Sequence, residues 1–347
     1  SQKAMNMLFA IRTLQKRFDS DIQCTFLSGT PISNSLTEMY LLFKYLRPRE
    51  LERQNIRNFD AWAAVFARKS VEFEFGVTNQ IIAKERFRHF IKVPELALFY
   101  NEIASFRTKR MIGIKEPEMV EELIHLKPSE DQKEYIQKLI KFAETGGGHY
   151  IDREPLTDGE KAAKMLIATN LAKKMSLDMR LIANWYEDHE GNKINTCCRL
   201  VWKHYQSSNE YKGTQLIFCD QGTPGTEGFN VYEAIRDRLI DHGIPKDQIT
   251  FVHDWNERSR HGWFKKMNDG DVRVLIGSTD KAGTGLNVQQ RVVAMHQMDI
   301  PWKPAELTQR QGRGVRPGNW CAEMYQDNKV YNYVYATERS LDTYKFT

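Results

Sequence analysis

The segment Gln309-Arg310-Gln311-Gly312-Arg313-Gly314-Val315-Arg316-Pro317-Gly318 sets three arginines among glycines. An arginine guanidinium is planar, permanently charged and able to meet two phosphate oxygens at once, so this spacing points to a clamp for a polyanion. Upstream lies a second loop, Ser278-Thr279-Asp280-Lys281-Ala282-Gly283-Thr284-Gly285-Leu286-Asn287. Here Gly283 and Gly285 let the backbone approach a phosphate or a sugar closely. One glycine-rich basic loop is a common surface feature, but two in this order favour nucleotide or nucleic-acid chemistry. If the first segment is helical, the spacing of three puts Arg313 and Arg316 on one face. Arg310 reads as a structural residue or a salt-bridge partner.

The elements that must carry these loops follow from hydrophobic pattern. From Gln215 onward short apolar runs alternate with helical stretches: Leu216-Ile217-Phe218-Cys219, a helix over Val231 to Leu239 closed by Gly243, then Ile249 to His253. A short helix marked by Phe264 and Met267 precedes strands at Val272 to Ile276 and Val292 to Met295. Such alternation predicts an α/β fold with a mostly parallel sheet and right-handed crossovers. Ligands of these sheets lie beyond the carboxyl ends of the strands, where both loops begin. Before Gln215 the chain reads as mainly helical. Ile22 to Leu27 is expected to be a short buried strand, and Ser35 with Glu38 to cap a helix that ends near Pro48. Residues 50–106 read as helical and aromatic without strand alternation. Glu122 to Leu126 reads as a strand, and Ser129 with Gln132 caps the helix that follows it. Lys161, Lys164, Lys173 and Lys174 stud a helical region, either as a phosphate track or as a solvated face. Tyr331, Tyr333 and Tyr335 alternate along a strand, either stacking on bases or packing on a helix.

Bulk properties narrow the class. The 347 residues suffice for two domains, and 41% hydrophobic with 27% charged residues is ordinary for a globular protein. A net charge of +5 permits a nucleic-acid partner without requiring one. Five cysteines without CxxC spacing argue against a disulfide framework and a zinc site, and the histidines form no ligand pattern, so no protein-bound metal is expected. No apolar run approaches a membrane span and no signal peptide opens the chain, which makes the cytoplasm the expected compartment. Ser1 begins within a helical pattern and Thr347 ends within another element, so the chain reads as part of a longer protein.

Six segments in order resemble the superfamily 2 helicases, and within them the Swi/Snf-type DNA translocases. Leu27-Ser28-Gly29-Thr30-Pro31-Ile32-Ser33-Asn34 with the helix to Pro48 is similar to their motif III, and Leu126 to Tyr135 to the entry of their second lobe. Gln215 to Asp220 resembles motif IV, Ser278 to Asn287 motif V, Asp299 to Ala305 the "DxxWNPA" segment, and Gln309 to Asn319 motif VI. Thr337 to Phe346 resembles the brace that follows. The resemblance implies a RecA-like parallel-sheet second lobe at residues 126–347. A partial, mainly helical remnant of the first lobe with a helical protrusion would occupy residues 1–125. It implies an ATP-dependent helicase or translocase that acts on DNA, double-stranded by preference, with ATP and Mg2+ as cofactors. Arg313 and Arg316 would be its catalytic finger arginines. Gly285, Asn287 and Gln309 would bind ATP, while Ser28, Gly29, Thr30, Thr279 and Lys281 would bind the DNA backbone. Loops of this style occur in bacterial, phage and mobile-element helicases, often fused to a DNA methylase.

Neither a GxxxxGK[ST] phosphate loop nor a DExx[HD] strand end occurs in the chain, and the family places both before motif III. ATP and Mg2+ would be held mainly by those motifs, so the chain alone is expected to hydrolyse no ATP. The alternative is a non-catalytic nucleic-acid-binding or docking module that retains a helicase-like lobe.

Overall fold

The helical first part and the alternating second part fold as two units, residues 1–113 and 114–347. The structure is a computed structural model that describes residues 2–28, 36–75, 81–108, 111–225, 228–256, 258–282, 285–301, 303–340 and 342. The division falls ahead of the expected boundary after residue 125, because the strand at residues 118–126 pairs within the sheet of the second unit.

In the first unit, α1 (Gln2–Arg17), α2 (Leu36–Leu46), α3 (Pro48–Arg53) and α4 (Phe59–Phe66) precede an antiparallel hairpin of β1 (Ala67–Phe75) and β2 (Ile81–Phe90). A last helix, α5 (Val93–Asn101), returns to the helical core. There Phe43 stacks on Phe99 with ring centroids 4.1 Å apart, and the Trp62 ring is fully buried. The Asn58 side chain caps α4 by accepting from the Ala61 amide at 2.8 Å. Two expectations fail here. Residues 50–106 are not wholly helical, since Val71, Phe73 and Phe75 alternate with charged residues at the period a strand requires. Residues 22–27 form no strand, and Ile22 and Leu27 are 84% and 94% exposed. No described strand pairs with this segment, and an unpaired run of backbone donors and acceptors gains nothing from strand geometry.

The second unit opens with β3 (Glu118–Leu126) and α6 (Glu130–Thr145). The expected capping box closes with Ser129 Oγ accepting from the Gln132 amide at 3.2 Å and Gln132 Oε1 from the Ser129 amide at 2.9 Å. Helices α7 (Asp158–Ala162), α8 (Lys164–Leu177) and α9 (Lys193–Ser207) lead to β4 (Thr214–Phe218), which is buried along its whole length. Then come α10 (Val231–Asp241), β5 (Ile249–Phe251), α11 (Arg260–Asp269), β6 (Val274–Gly277) and α12 (Thr279–Ala282). The chain continues through β7 (Val292–Gln297), α13 (Pro304–Gly314), α14 (Trp320–Tyr325) and β8 (Lys329–Thr337). Six strands form one parallel sheet in the order β3-β8-β7-β4-β6-β5, the α/β architecture expected for a RecA-like lobe. Apolar clusters fill both faces, as a sheet covered by crossover helices requires.

Two buried histidines inside this unit are paired with tyrosine hydroxyls. His296 Nδ1 lies 2.8 Å from the Tyr335 hydroxyl and Nε2 3.1 Å from Gln215 Oε1, while His204 Nε2 lies 2.8 Å from the Tyr333 hydroxyl. Tyr333 and Tyr335 are thus buried partners of histidines, and their alternation packs the sheet against α9 rather than facing bases.

Candidate phosphate-binding site

Both loops singled out in the sequence leave the carboxyl ends of central strands, and α13 ties them together. Pro304 at its first turn lacks only an N–H that would go unsatisfied there, which suits a helix start. One turn further along, fully buried Arg310 spends all five of its N–H donors inside the protein. Nη2 donates to Asp220 Oδ2 at 2.7 Å and to Asp299 Oδ1 at 3.0 Å. Nη1 donates to the Asp299 carbonyl at 2.7 Å and to Gln297 Oε1 at 3.3 Å, and Nε to Thr279 Oγ1 at 2.8 Å. Asp220 follows β4, Thr279 follows β6 and Asp299 follows β7, so one guanidinium stitches three adjacent strand ends. Asp220 also accepts from the Thr279 amide at 2.6 Å and hydroxyl at 2.8 Å. Burial works to lower the Arg310 pKa, but Asp299 and Asp220 outweigh it and hold the guanidinium above its ordinary range. Burial likewise pushes the Asp299 carboxyl up against the pull of Arg310. The salt-bridge reading of Arg310 holds.

With α13 pinned this way, Arg313 comes from its last turn and Arg316 from the turn just past Gly314. Arg316 Nη1 donates to the Leu286 carbonyl at 2.8 Å. Arg260, at the start of α11, reaches the same loop: its Nη2 is 3.5 Å from where a Cβ on Gly285 would stand. Burial, then Arg316 and Arg260, lower the pKa of the Arg313 guanidinium. Arg316 and Arg260 therefore reach residues 285 and 286, and Arg313 lies close enough to both to feel their charges. Like charges brought together in a half-buried place repel one another, and an anion placed among them relieves that cost.

The remaining expected residues divide. Gly285 and Asn287 are exposed in the loop between α12 and β7, Gly285 with φ +67 and Asn287 held by its carbonyl to Asn268 Nδ2 at 2.9 Å. Gln309 is half-buried on α13, beside the anchored Arg310. Lys281 is exposed on α12. Thr279 is not available to a ligand, since its hydroxyl donates to Asp220 and accepts from Arg310. Ser28 belongs to the first unit and is exposed; Gly29 and Thr30, like Gly283 and Trp302, lie outside the described residues. The four lysines also part: Lys164 donates to the Glu144 carbonyl at 3.2 Å, and Lys161 pairs with Asp158 at 3.0 Å. Lys173 and Lys174 line a cleft instead. Arg260 escaped the sequence reading because only the apolar side of its helix, Phe264 and Met267, carried a pattern. Asp220 and Asp299 enter that reading only as ends of the segments that resemble motif IV and DxxWNPA, and the bond from the Asp220 amide to Asp299 Oδ2 spans 79 positions.

No group of three or more His, Cys, Asp and Glu among the described residues is arranged to hold a metal ion. Among the described residues, no helix is long and apolar enough to cross a membrane.

Residues 192–318 match the model of the helicase conserved C-terminal domain, and residues 1–108 match that of a probable helicase domain. The chain is similar to the uncharacterized ATP-dependent helicase YqhH of Bacillus subtilis (strain 168), with 23% identity over 354 residues, 99% of this chain and 54% of that protein. It is also similar to the Defense against restriction protein B of Escherichia phage P1, with 30% identity over 98 residues, 27% of this chain and 4% of that protein. The chain spans about half the length of the first relative and a small part of the second. Among solved structures, the C-terminal part of the Fun30 ATPase domain aligns with a TM-score of 0.45 and 16% identity, covering 67% of this chain and 89% of that one. The resemblance to superfamily 2 helicases is thus met by matches at both ends of the chain.

Proposed function

We propose that this helicase-like chain supplies the second-lobe half of a split ATP site in an ATP-dependent DNA translocase of the Swi/Snf type. The observation that carries the reading is Arg316 bonded to the Leu286 carbonyl near Arg260 at Gly285, with Arg313 close enough to feel both charges and α13 anchored by the fully bonded Arg310. Arg313 and Arg316 act as finger arginines on the transferred phosphoryl group, a contribution worth roughly 10³–10⁵ in rate. Fixed charges of this kind cost no reorganisation when the transition state forms. Asn287 meets the nucleotide sugar, the Gly285 backbone allows its close approach, and Gln309 orients it. Lys281 contacts a DNA phosphate, as do Ser28, Gly29 and Thr30; Thr279 instead holds the strand ends that position Lys281. The arginines fit the phosphates of ATP. Mg2+ would supply charge neutralisation there, and the phosphate loop and carboxylates that would hold it do not occur in this sequence.

The same proposal makes the chain inactive alone, since fingers without a phosphate cradle cannot assemble the transition state. The test is ATP hydrolysis by the chain, and by a longer protein carrying it together with those motifs, each with and without duplex DNA. The proposal expects turnover only in the longer protein and stimulation by duplex DNA. Turnover by the chain itself would overturn the division of labour. An idle longer protein that still binds DNA would favour the docking-module alternative.

A further inference from the structure

The sheet of the second unit has two edges of different make. β5 closes one of them with three residues, all buried. β3 closes the other with nine, of which Leu126 alone is buried. Its register with β8 runs unbroken from Glu118 opposite Lys329 to Leu126 opposite Thr337, so no bulge twists this edge away. Neither glycine nor proline interrupts it.

Two hydrogen bonds fix which way its backbone faces. The Glu118 amide donates to the Asn328 carbonyl at 2.7 Å, and the Leu126 carbonyl accepts from the Glu338 amide at 2.9 Å. Successive residues of a strand turn these groups to opposite sides, so the even-numbered residues of β3 bond toward β8. Met119, Glu121, Leu123 and His125 hold their N–H and C=O groups away from it. Among the described residues no strand takes them up. Such a row of donors and acceptors is a template for another extended chain.

Charge decides what that chain is. Side chains alternate across a strand, so Glu118, Val120, Glu122 and Ile124 share one face. Glu118 and Glu122 are exposed, and among the described residues neither has an ion-pair partner. Glu121, on the other face, is taken, accepting from Gln311 Nε2 at 3.0 Å and from Asn332 Nδ2 at 3.0 Å. Residues 116–122 hold four glutamates and no lysine or arginine, in a chain whose net charge is +5. Glutamates on an edge deter acidic and apolar strands, and the same charges favour a basic one. They also disfavour a second copy of the chain, since antiparallel pairing of two β3 strands about Glu121 or Glu122 sets that glutamate opposite itself.

We propose that the free edge of β3 docks an extended basic segment of a partner protein, which adds a strand to the six-stranded sheet. Its cations lie opposite Glu118 and Glu122, and its apolar side chains opposite Val120 and Ile124. The proposal uses none of the residues assigned to ATP or DNA and stands apart from that reading.

The experiment titrates the 347-residue chain with the labelled peptide lysine-threonine-valine-threonine-lysine-threonine-valine-threonine-lysine, and with the same peptide carrying glutamate for lysine. The pattern reads alike in either strand direction. Fluorescence anisotropy measures binding, and amide hydrogen exchange locates it. The lysine peptide should bind and slow exchange at Met119, Glu121, Leu123 and His125, and the glutamate peptide should do neither. In Glu118→Lys with Glu122→Lys, two opposite-charge pairs become like-charge pairs, so the preference between the peptides should swap by about tenfold. Leu123→Pro removes one outward N–H and keeps the bonds to β8, so it should weaken the lysine peptide by roughly threefold to tenfold. Circular dichroism checks each fold, and if Leu123→Pro does not fold, the exchange pattern of the wild-type chain decides. Binding that leaves those four amides exchanging freely would overturn strand addition. A dimer in sedimentation that Leu123→Pro dissolves would put a second copy on the edge and overturn the basic partner. No binding of the lysine peptide at millimolar concentration would overturn the site itself.

Discussion

Arg310 and Arg313 lie three positions apart on one helix and meet opposite surroundings. Arg310 has two carboxylates, a carbonyl, an amide oxygen and a hydroxyl around it, so its charge is neutralised within the protein. Removing it leaves the part-buried Asp299 and the more exposed Asp220 without their common partner, and losing one partner of a buried ion pair costs about 3–5 kcal/mol, an upper limit here. Arg310→Ala should therefore lower the stability of the second unit by that order in urea unfolding. Arg310→Lys should rescue little, because an ammonium cannot reproduce the planar fork. Arg316→Ala removes one bond to the Leu286 carbonyl and should cost only about 1 kcal/mol. A ranking in which Arg316→Ala is the more damaging would mean that the pinning residue has been misplaced.

At the scale of elements, α13 can lie where it does because Gly314 lets it touch β7. A Cβ there would stand 2.6 Å from Met295 Sδ and 3.1 Å from Val292 Cγ1, both inside the core. Gly314→Ala should cost about 1–3 kcal/mol by overpacking and shift Arg316 with the helix end, readable as a lower melting temperature. The histidines buried between α9 and the sheet give the unit an acid limit. Burial lowers the His204 pKa from 6.5 to about 4, and that of His296 well below 6.5. Because both folded values are depressed, their stabilising contribution is present above pH 6.5 and lost as pH falls toward 4. His204 accounts for up to about 3 kcal/mol of this. Urea midpoints should fall between pH 7 and 4.5, and the fall should shrink in His204→Gln.

These elements also mark how far the residues alone could be read. The strands of the second unit were legible because each is a short apolar run ended by a glycine or a polar turn, and the capping box at Ser129 because its two partners are three apart. The β1–β2 hairpin was not, since aromatic residues in a charged stretch suit helix and strand alike until a partner fixes the period. Arg313 and Arg316 stand out by spacing, but α13 ends at Gly314, so they do not share the one helix face that this spacing would give in a helix. Arg260 and the Asp220–Arg310–Asp299 network were not legible, because their partners lie far apart in the chain and only the sheet brings them together.

For the whole molecule, residues 192–318 match the helicase conserved C-terminal domain and residues 1–108 a probable helicase domain, and the cations proposed to face phosphate lie beside a buried, fully bonded arginine. The central proposal is that Arg313 and Arg316 are fingers rather than a solvated basic face. The direct measurement is duplex-stimulated ATP hydrolysis by a longer protein that carries this chain with a phosphate loop, comparing wild type with Arg313→Ala and Arg316→Ala, alongside DNA affinity. The account predicts a fall in turnover of roughly 10³–10⁵ in each variant with DNA binding retained. Turnover within tenfold of wild type in both variants would contradict it.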